Sequence, residues 1–501
     1  MIIIFLVALA LVSDDSRSNS PDWIRVHELT VSGLHQLYSL EIDDARRTFD
    51  SVTAMAPGDP RGPFFQSVLH FYVYNLNRSE RELNTFLDKS EKVVALCEDL
   101  LDRNSRDVTT KFYLGGIRGY RGLAYQASGS YLKAVQEGRK GFLLLEEAVT
   151  EKPDLYDAHM GFGLFNYLLA KIPSSLKWIV SMLGFNGDLE GGLRSLRYAA
   201  ERGTYTRAEA KLYLAQFLFS EGRRDSAVQY LNELRREYPE NTLFTVLYAS
   251  FQHRMDNLDE AMRAANAAIE LNNRKNIRYG DELAHSTLGS IYYTKNDFTN
   301  AATNYRLYLK ATSDEARVPN FTLFRGGVAC EIGGDRATAL EFYRRMKSDD
   351  QARGGGAQQY RRAQELIRRP MTEAEILMVK AGNESSQKKY EASAELFRAA
   401  LAKAGDNIDL QARALYGLQQ AEFDSDKLAD AGKTSRRILA LKPVNEQWII
   451  PHAWFRLGQI HVKSGRKAEA KTAFEMVDEF DDYEFEERLE PRAEEELENL
   501  D

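Results

Sequence analysis

The sequence predicts an all-α solenoid of paired antiparallel helices, and three observations carry that expectation. Trp454, Leu457, Gly458, His461, Ala470 and Phe474 are spaced so that small residues fall where two helices cross and large ones fill the space around them. Leu214, Ala215, Leu218, Ala227, Leu231, Leu234 and Pro239 repeat that arrangement upstream, and two frames of about 34 residues, 208–241 and 242–275, abut without a gap. Nowhere does more than a short stretch alternate apolar and polar residues with β-branched enrichment, so no sheet is expected.

Residues 1–20 read as a leader. An apolar run over 1–12 suits the core of an export signal and is too short to cross a bilayer, and Ala8-Leu9-Ala10 offers a small-x-small cleavage site. No Lys or Arg precedes the run and no cysteine follows it closely. The expectation is an exported chain, periplasmic or outer-membrane associated, without a transmembrane span once cleaved; a cytoplasmic chain is the alternative.

Residues 21–207 read as irregular hairpins. Gly33, Ala45, Phe49, Val52 and Pro57 outline the first, and the breaker run 57–63 separates it from an aromatic helix carrying Phe64, Phe65, Phe71, Tyr72 and Tyr74. The last hairpin is split by an insertion, 171–187. On a helix its Leu176, Ile179, Val180 and Leu183 form one stripe and Trp178, Met182 and Phe185 another, so both faces need cover. Either the insertion is a structural plug, or Trp178, Met182 and Phe185 dock a partner or make a peripheral membrane contact.

A regular array follows over 208–347, marked by Tyr248, Ala249, Ala261, Ala265 and Ala268, then Leu288, Gly289, Tyr292, Ala301 and Tyr305, then Gly327, Cys330, Ala339, Tyr343 and Met346. Gly354-Gly355-Gly356 and Pro370 make 348–371 a linker or hinge. A C-terminal array over 372–482 runs through Leu377, Ala381, Tyr390, Phe397 and Ala400, then Gly417, Ala431, Ile438 and Pro443, and closes on the Trp454 phrase. An acidic tail over 483–501 ends the chain.

These spacings are similar to the pattern W-x2-L-G-x2-Y, A-x3-F and P of the tetratricopeptide (TPR) repeat, which implies a right-handed superhelix presenting an interaction surface. Within it, Ile172, Pro173, Leu176, Lys177, Leu183, Gly184, Phe185, Asn186, Gly187 and Asp188, with Gly192, Leu193 and Leu196, resemble a stretch of the inclusion body clearance family of TPR proteins. That resemblance covers about residues 154–215 and implies a non-enzymatic adaptor of the cytosol and organelle surfaces. Leu189 stands where a basic residue is expected, and the export-like leader departs from the family.

Charge and chemistry narrow the function. Residues 478–501 hold thirteen acids against Arg488 and Arg492, so the rest of a chain at −8 carries +3. The tail reads as a solvated cap, with docking to a basic partner as the sharper alternative. Residues 336–369 carry a net +5 but lack interleaved stacking aromatics, so they read as a solvated loop and helix face and no nucleic acid is expected. The eight histidines lack zinc-protease spacing, no phosphate-binding glycine loop occurs, and Cys97 and Cys330 indicate neither disulfides nor zinc. No catalytic residue, cofactor or metal is therefore assigned, and an enzyme with a site between the arrays stays a minor alternative.

The expected partner surface is the groove lined by the first helix of each hairpin: Leu212, Gln216 and Phe219; Val246, Ser250, His253 and Arg254; Ser286, Ser290 and Tyr293; Phe324 and Val328. TPR domains that clamp chaperone C-termini use Lys and Asn at positions filled here by Leu212, Gln216, Val246, Ser250, Ser286, Ser290, Phe324 and Val328, so that carboxylate clamp is not expected. The lining suits an extended or helical protein segment, identity unassigned.

Overall fold

A computed structural model describes residues 21–172, 187–312, 318–348 and 355–500. Among them are 24 α-helices and no strand. The leader and the stripes of the insertion, including Trp178, Met182 and Phe185, lie outside the described residues.

The chain forms two compact units, Met1–Asn241 and Thr242–Asp501. The first holds α1 (Trp23–Tyr38), α2 (Ile42–Met55), α3 (Arg61–Asn77), α4 (Glu80–Arg103), α5 (Val108–Ala127), α6 (Tyr131–Glu151), α7 (Ala158–Ala170), α8 (Leu189–Arg202), α9 (Arg207–Ser220) and α10 (Arg224–Glu237). The division falls between two abutting repeats inside the stretch expected to be one array, 208–347. Asn241 supplies a physical reason on the near side: its amide donates to the Tyr38 carbonyl at 2.7 Å and to the Tyr72 hydroxyl at 3.2 Å, fastening the end of the α9–α10 hairpin to the helices that open the unit.

The second unit holds α11 (Thr242–Arg254), α12 (Leu258–Lys275), α13 (Asp281–Thr294), α14 (Phe298–Ala311), α15 (Asn320–Ile332), α16 (Arg336–Arg345), α17 (Gly355–Arg368), α18 (Glu373–Ser386), α19 (Tyr390–Lys403), α20 (Ile408–Asp424), α21 (Leu428–Leu439), α22 (Ile449–Lys463), α23 (Lys467–Glu475) and α24 (Glu486–Glu498). Consecutive helices pair into hairpins, with α17 and α24 unpaired.

Local chemistry explains the helix ends. Asp22, Asp107, Asp297, Asp335 and Asn407 accept backbone N–H groups as N-caps, and Thr372 with Glu375 closes a capping box at α18. The tight turn inside a hairpin needs one left-handed residue. Gly222 and Gly465 adopt it with φ of 77° and 70°, while Asp256, Asn296 and Asp426 fill the same place with φ of 63°, 62° and 60°.

Between paired helices, small residues admit rings from the partner. A Cβ on Gly458 would fall 2.5 Å from Phe474 Cε1, so the glycine sets the approach of α22 and α23. Ala227, Ala261, Ala301 and Ala470 occupy equivalent crossings and are fully buried.

Two expectations are corrected in the second unit. The stretch expected as a hinge leads into α17, whose Ala363 and Leu366 are buried in one cluster with Phe342 and Tyr343. The arginines expected to be solvated are largely engaged: Arg336 pairs with Glu331, Arg361 with Glu484 and Arg369 with Glu375. The acidic end forms α24, which buries Leu489 and Ala493 against Phe455 and Phe474, with Glu487, Glu494, Glu495 and Glu498 exposed and Glu486, Glu490 and Glu496 half-buried.

A cross-tie bypasses four helices. Asn383 near the end of α18 donates to the Tyr293 carbonyl at 2.7 Å, and Gln387 donates to the Thr294 carbonyl at 2.6 Å. Carbonyls at the end of α13 thereby accept side-chain donors from the end of α18, in addition to the Asn296 N–H that reaches Tyr293 from the turn that follows.

Candidate functional site

The expected groove residues divide by burial. In the first unit Leu212 is half-buried, Gln216 exposed and Phe219 buried. In the second, Ser250, His253, Ser286, Ser290 and Phe324 are half-buried and Arg254 is exposed, whereas Val246, Tyr293 and Val328 are buried. The buried four belong to the core, which corrects their reading as a partner surface. Val246 packs with Ala268 and Ala284, and Tyr293 and Val328 join the cluster of Phe298 and Tyr305. A first-helix position that faces the next repeat is covered when successive first helices pack closely.

On that stretch Arg325, absent from the expected set, is the organising cation. Its guanidinium lies 4.2 Å from the Phe321 ring centroid and 4.9 Å from that of Tyr293, and it donates to Ser290 Oγ at 3.1 Å. Burial, reinforced by the Arg325 charge, pushes the nearby His253 imidazole down, so it favours the neutral form.

In the first unit Glu209, three residues before Leu212, is half-buried among tyrosines. The Tyr120 hydroxyl donates to its carboxylate. Burial raises the Glu209 carboxyl to about 7, outweighing hydrogen bonds from Tyr120 and Tyr213 that lower it. The hydroxyls of Tyr38 and Tyr120 are themselves pushed up, first by burial and then by the charge of Glu209.

The second unit carries a cleft of about 550 Å³ bounded by α17, α18, α20 and the start of α22. Arg362, Met378, Ser385, Arg413, Tyr416 and Trp448 are among its walls. Arg362 and Arg413 converge on one oxygen: the Nη2 of Arg362 and the Nε of Arg413 each lie 3.7 Å from Glu446 Oε1. Arg413 Nη1 is 3.6 Å from Glu375 Oε1. These are ion pairs beyond hydrogen-bond length, and the Nε of both arginines is buried without an acceptor among the described residues.

The nearby carboxylates are committed elsewhere. Glu446 Oε2 accepts from Trp448 Nε1 at 2.7 Å. Glu375 accepts a fork from Arg369 at 2.6 and 2.9 Å and a backbone N–H from Thr372 at 2.9 Å. Burial would raise its carboxyl, but those hydrogen bonds and the charges of Arg413 and Arg369 hold it down, at about 2. Burial and the Arg362 charge lower the Arg413 guanidinium to about 10, so it remains a cation at neutral pH.

Aromatic rings flank the cations. Tyr416 and Trp448 meet edge to face at 5.1 Å, and His452 lies 5.3 Å from Trp448. Burial and the charges of Arg492 and Arg456 push His452 down to about 4, so it adds no charge at neutral pH. Arg456 donates to Gln420 and to Gln459 and covers the Phe423 ring at 4.2 Å. Among the described residues no group of three or more His, Cys, Asp or Glu is placed to hold a metal, and no helix is long and apolar enough to cross a membrane.

Comparison with known proteins agrees with the repeat frame. A family model described as Iml2/Tetratricopeptide repeat protein 39 matches residues 157–318, and one described as Tetratricopeptide repeat matches residues 451–481. Among solved structures, Pseudomonas aeruginosa pilF is 17% identical with a TM-score of 0.36, covering 50% of this chain and 96% of its own. The human IFIT1 dimer with m7Gppp-AAAA is 14% identical with a TM-score of 0.36, covering 91% and 95%. A thermophilic TPR protein of Thermus thermophilus is 18% identical with a TM-score of 0.29, covering 45% and 98%. The chain is a TPR-repeat protein.

Proposed function

We propose that this protein is a non-catalytic scaffold that captures segments of partner proteins along the first helices of its hairpins. The observation that carries the reading is the open cleft between α18, α20 and α22, where three successive first helices bring Met378, Arg413, Tyr416 and Trp448 together and α17 adds Arg362. The TPR frame supports it, because such repeats build surface from stacked hairpins and each needs its neighbour to bury a core.

A photoreactive side chain placed at Ser386, in the cleft wall, should give covalent protein adducts in the native cell. The same group at the exposed Asp225 should give few. Equal yields at both positions would remove the cleft as a capture site.

The match over residues 157–318 favours an adaptor of the inclusion body clearance type, working in the cytosol or on organelle surfaces. The exported alternative rests on the apolar run in residues 1–20. Mass spectrometry of the mature N-terminus separates them: an uncleaved Met1 or Ile2 favours the first, and a start just after Ala10 the second.

A further inference from the structure

Glu209 is an enclosed carboxylate without a counter-cation among the described residues. Its proton affinity is set by burial and by hydrogen bonds from Tyr120 and Tyr213, and no charged group of the neighbouring helices contributes. The cations on its own helix, α9, are engaged elsewhere: Lys211 pairs with Glu233 and Glu237 of α10, and Arg207 with Glu237. A carboxylate enclosed in this way is matched by a cation that arrives from outside.

The surroundings select its kind. Tyr120 on α5 and Tyr213 on α9 turn their hydroxyls to the carboxylate, and Tyr38 on α1 stands near enough to feel its charge. The Tyr38 ring lies 5.6 Å from that of Tyr72 on α3 and 5.6 Å from that of Tyr238. Burial pushes the phenols of Tyr38, Tyr120 and Tyr213 up, so they stay neutral while Glu209 titrates. The Tyr120 hydroxyl already holds Oε2, which hinders a guanidinium fork that needs both oxygens, whereas an ammonium needs only one. Glu209, Tyr213 and Gln216 follow one another on one face of α9, the first two half-buried and the last exposed, so that face opens towards Gln216. A long, flexible stem ending in a compact charge suits an acid set back from such an opening.

We propose that Glu209, with the hydroxyls of Tyr120 and Tyr213, seats the ammonium group of a lysine side chain on a captured protein segment. This rests on the scaffold reading and gives chemistry to what the first helices of the first unit hold. Binding exchanges one proton: the ammonium arrives charged, and a protonated Glu209 releases its proton to solvent as the ion pair forms.

The test uses the full chain and a synthetic library of peptides acetylated and amidated at their ends. Each member carries Lys, Arg or norleucine at one central position, with flanking positions randomised among residues other than Lys, Arg and His. At pH 8 the Lys members should bind roughly tenfold more tightly than the norleucine members, and more tightly than the Arg members. Their affinity should fall roughly tenfold between pH 8 and pH 6, following the ionised fraction of a carboxyl that titrates at about 7. In Glu209→Gln the Lys preference should fall close to one and its pH dependence should vanish. If that variant folds poorly, Gln216→Lys, a like charge at the exposed end of the same face, should weaken Lys binding roughly threefold. Asp225→Asn, an exposed change of the same charge on α10, should keep the preference.

A wild-type preference near one, a preference unchanged in both variants, affinity that does not rise with pH, or no binding by any member overturns the seat. Tighter binding of the Arg members overturns the ammonium assignment, and tighter binding of free 1,4-diaminobutane than of any peptide overturns the protein source. These outcomes are separable from failure of the scaffold reading, which is judged in the second unit by adducts at Ser386 whatever the sequence of the captured segment.

Discussion

Gly458 lies against the edge of Phe474, and a Cβ at that glycine would stand 2.5 Å from the ring. The same approach recurs where Gly327 of α15 meets Tyr343 of α16, so a single contact between paired helices is repeated with different chain segments. Stability of the second unit therefore depends on side-chain volume at these crossings.

Gly458→Glu should destabilise by roughly 2 to 5 kcal/mol, because it brings both bulk and a charge into a closed interface. Ala227→Asp in the first unit, at a fully buried position, should do the same. Denaturant midpoints unchanged from wild type would contradict the frame.

Val246→Asp should unfold its surroundings rather than only remove a binding contact, since the side chain is fully buried beside Ala268 and Ala284. The expected loss is about 2 to 5 kcal/mol. Arg254→Ala, at an exposed position on the same helix, should stay within about 0.5 kcal/mol. Chemical denaturation of the two variants side by side decides the point.

Glu209 gives the first unit a pH-dependent stability. Its carboxyl is raised by burial from 4.5 to about 7 in the fold, so the folded state holds the proton more tightly than the unfolded chain does. The contribution is therefore greatest below the unfolded value of 4.5 and is lost as pH rises towards about 7. Glu209→Gln removes this titration. The difference in unfolding free energy, wild type minus variant, should fall across that window, and a difference that stays flat would rule the effect out.

Cys97 and Cys330 should resist thiol reagents in the native protein and react once it is unfolded. Both are fully buried, and burial pushes their thiols up to about 12 and about 11. At neutral pH almost no thiolate forms and no reagent reaches it. Rapid native labelling of either residue would show that its helix pair opens readily.

The fold was legible because packing at a helix crossing constrains residue size, and Gly458, Ala470 and Phe474 display that constraint in their spacing. Burial along the first helices was less legible. Val246 and Ser250 lie four apart on one helix, yet the first is covered by α13 and the second is half open, a difference set by the next repeat and not by periodicity. Helix α17 was hidden behind three glycines, although Ala363 and Leu366 at a spacing of three were a signal for a buried face. Arg413 had its own signal: it precedes Gly417 by the four residues that separate Trp454 from Gly458, so a cation occupies a place the repeat gives to a large apolar ring. The pairing with Arg362 through Glu446 joins three distant segments, and no local pattern encodes that.

The amides of Asn383 and Gln387 do more than cap α13. A row of hairpins joined only to their neighbours stretches like a spring, each turn sharing the load. Here a strut joins α13 directly to α18, so tension applied to the second unit would run across it while α14 to α17 hang slack beside the loaded path. Under pulling, Asn383→Ala should convert one abrupt rupture into a gradual extension, and the unit would change from a stiff link into a compliant one.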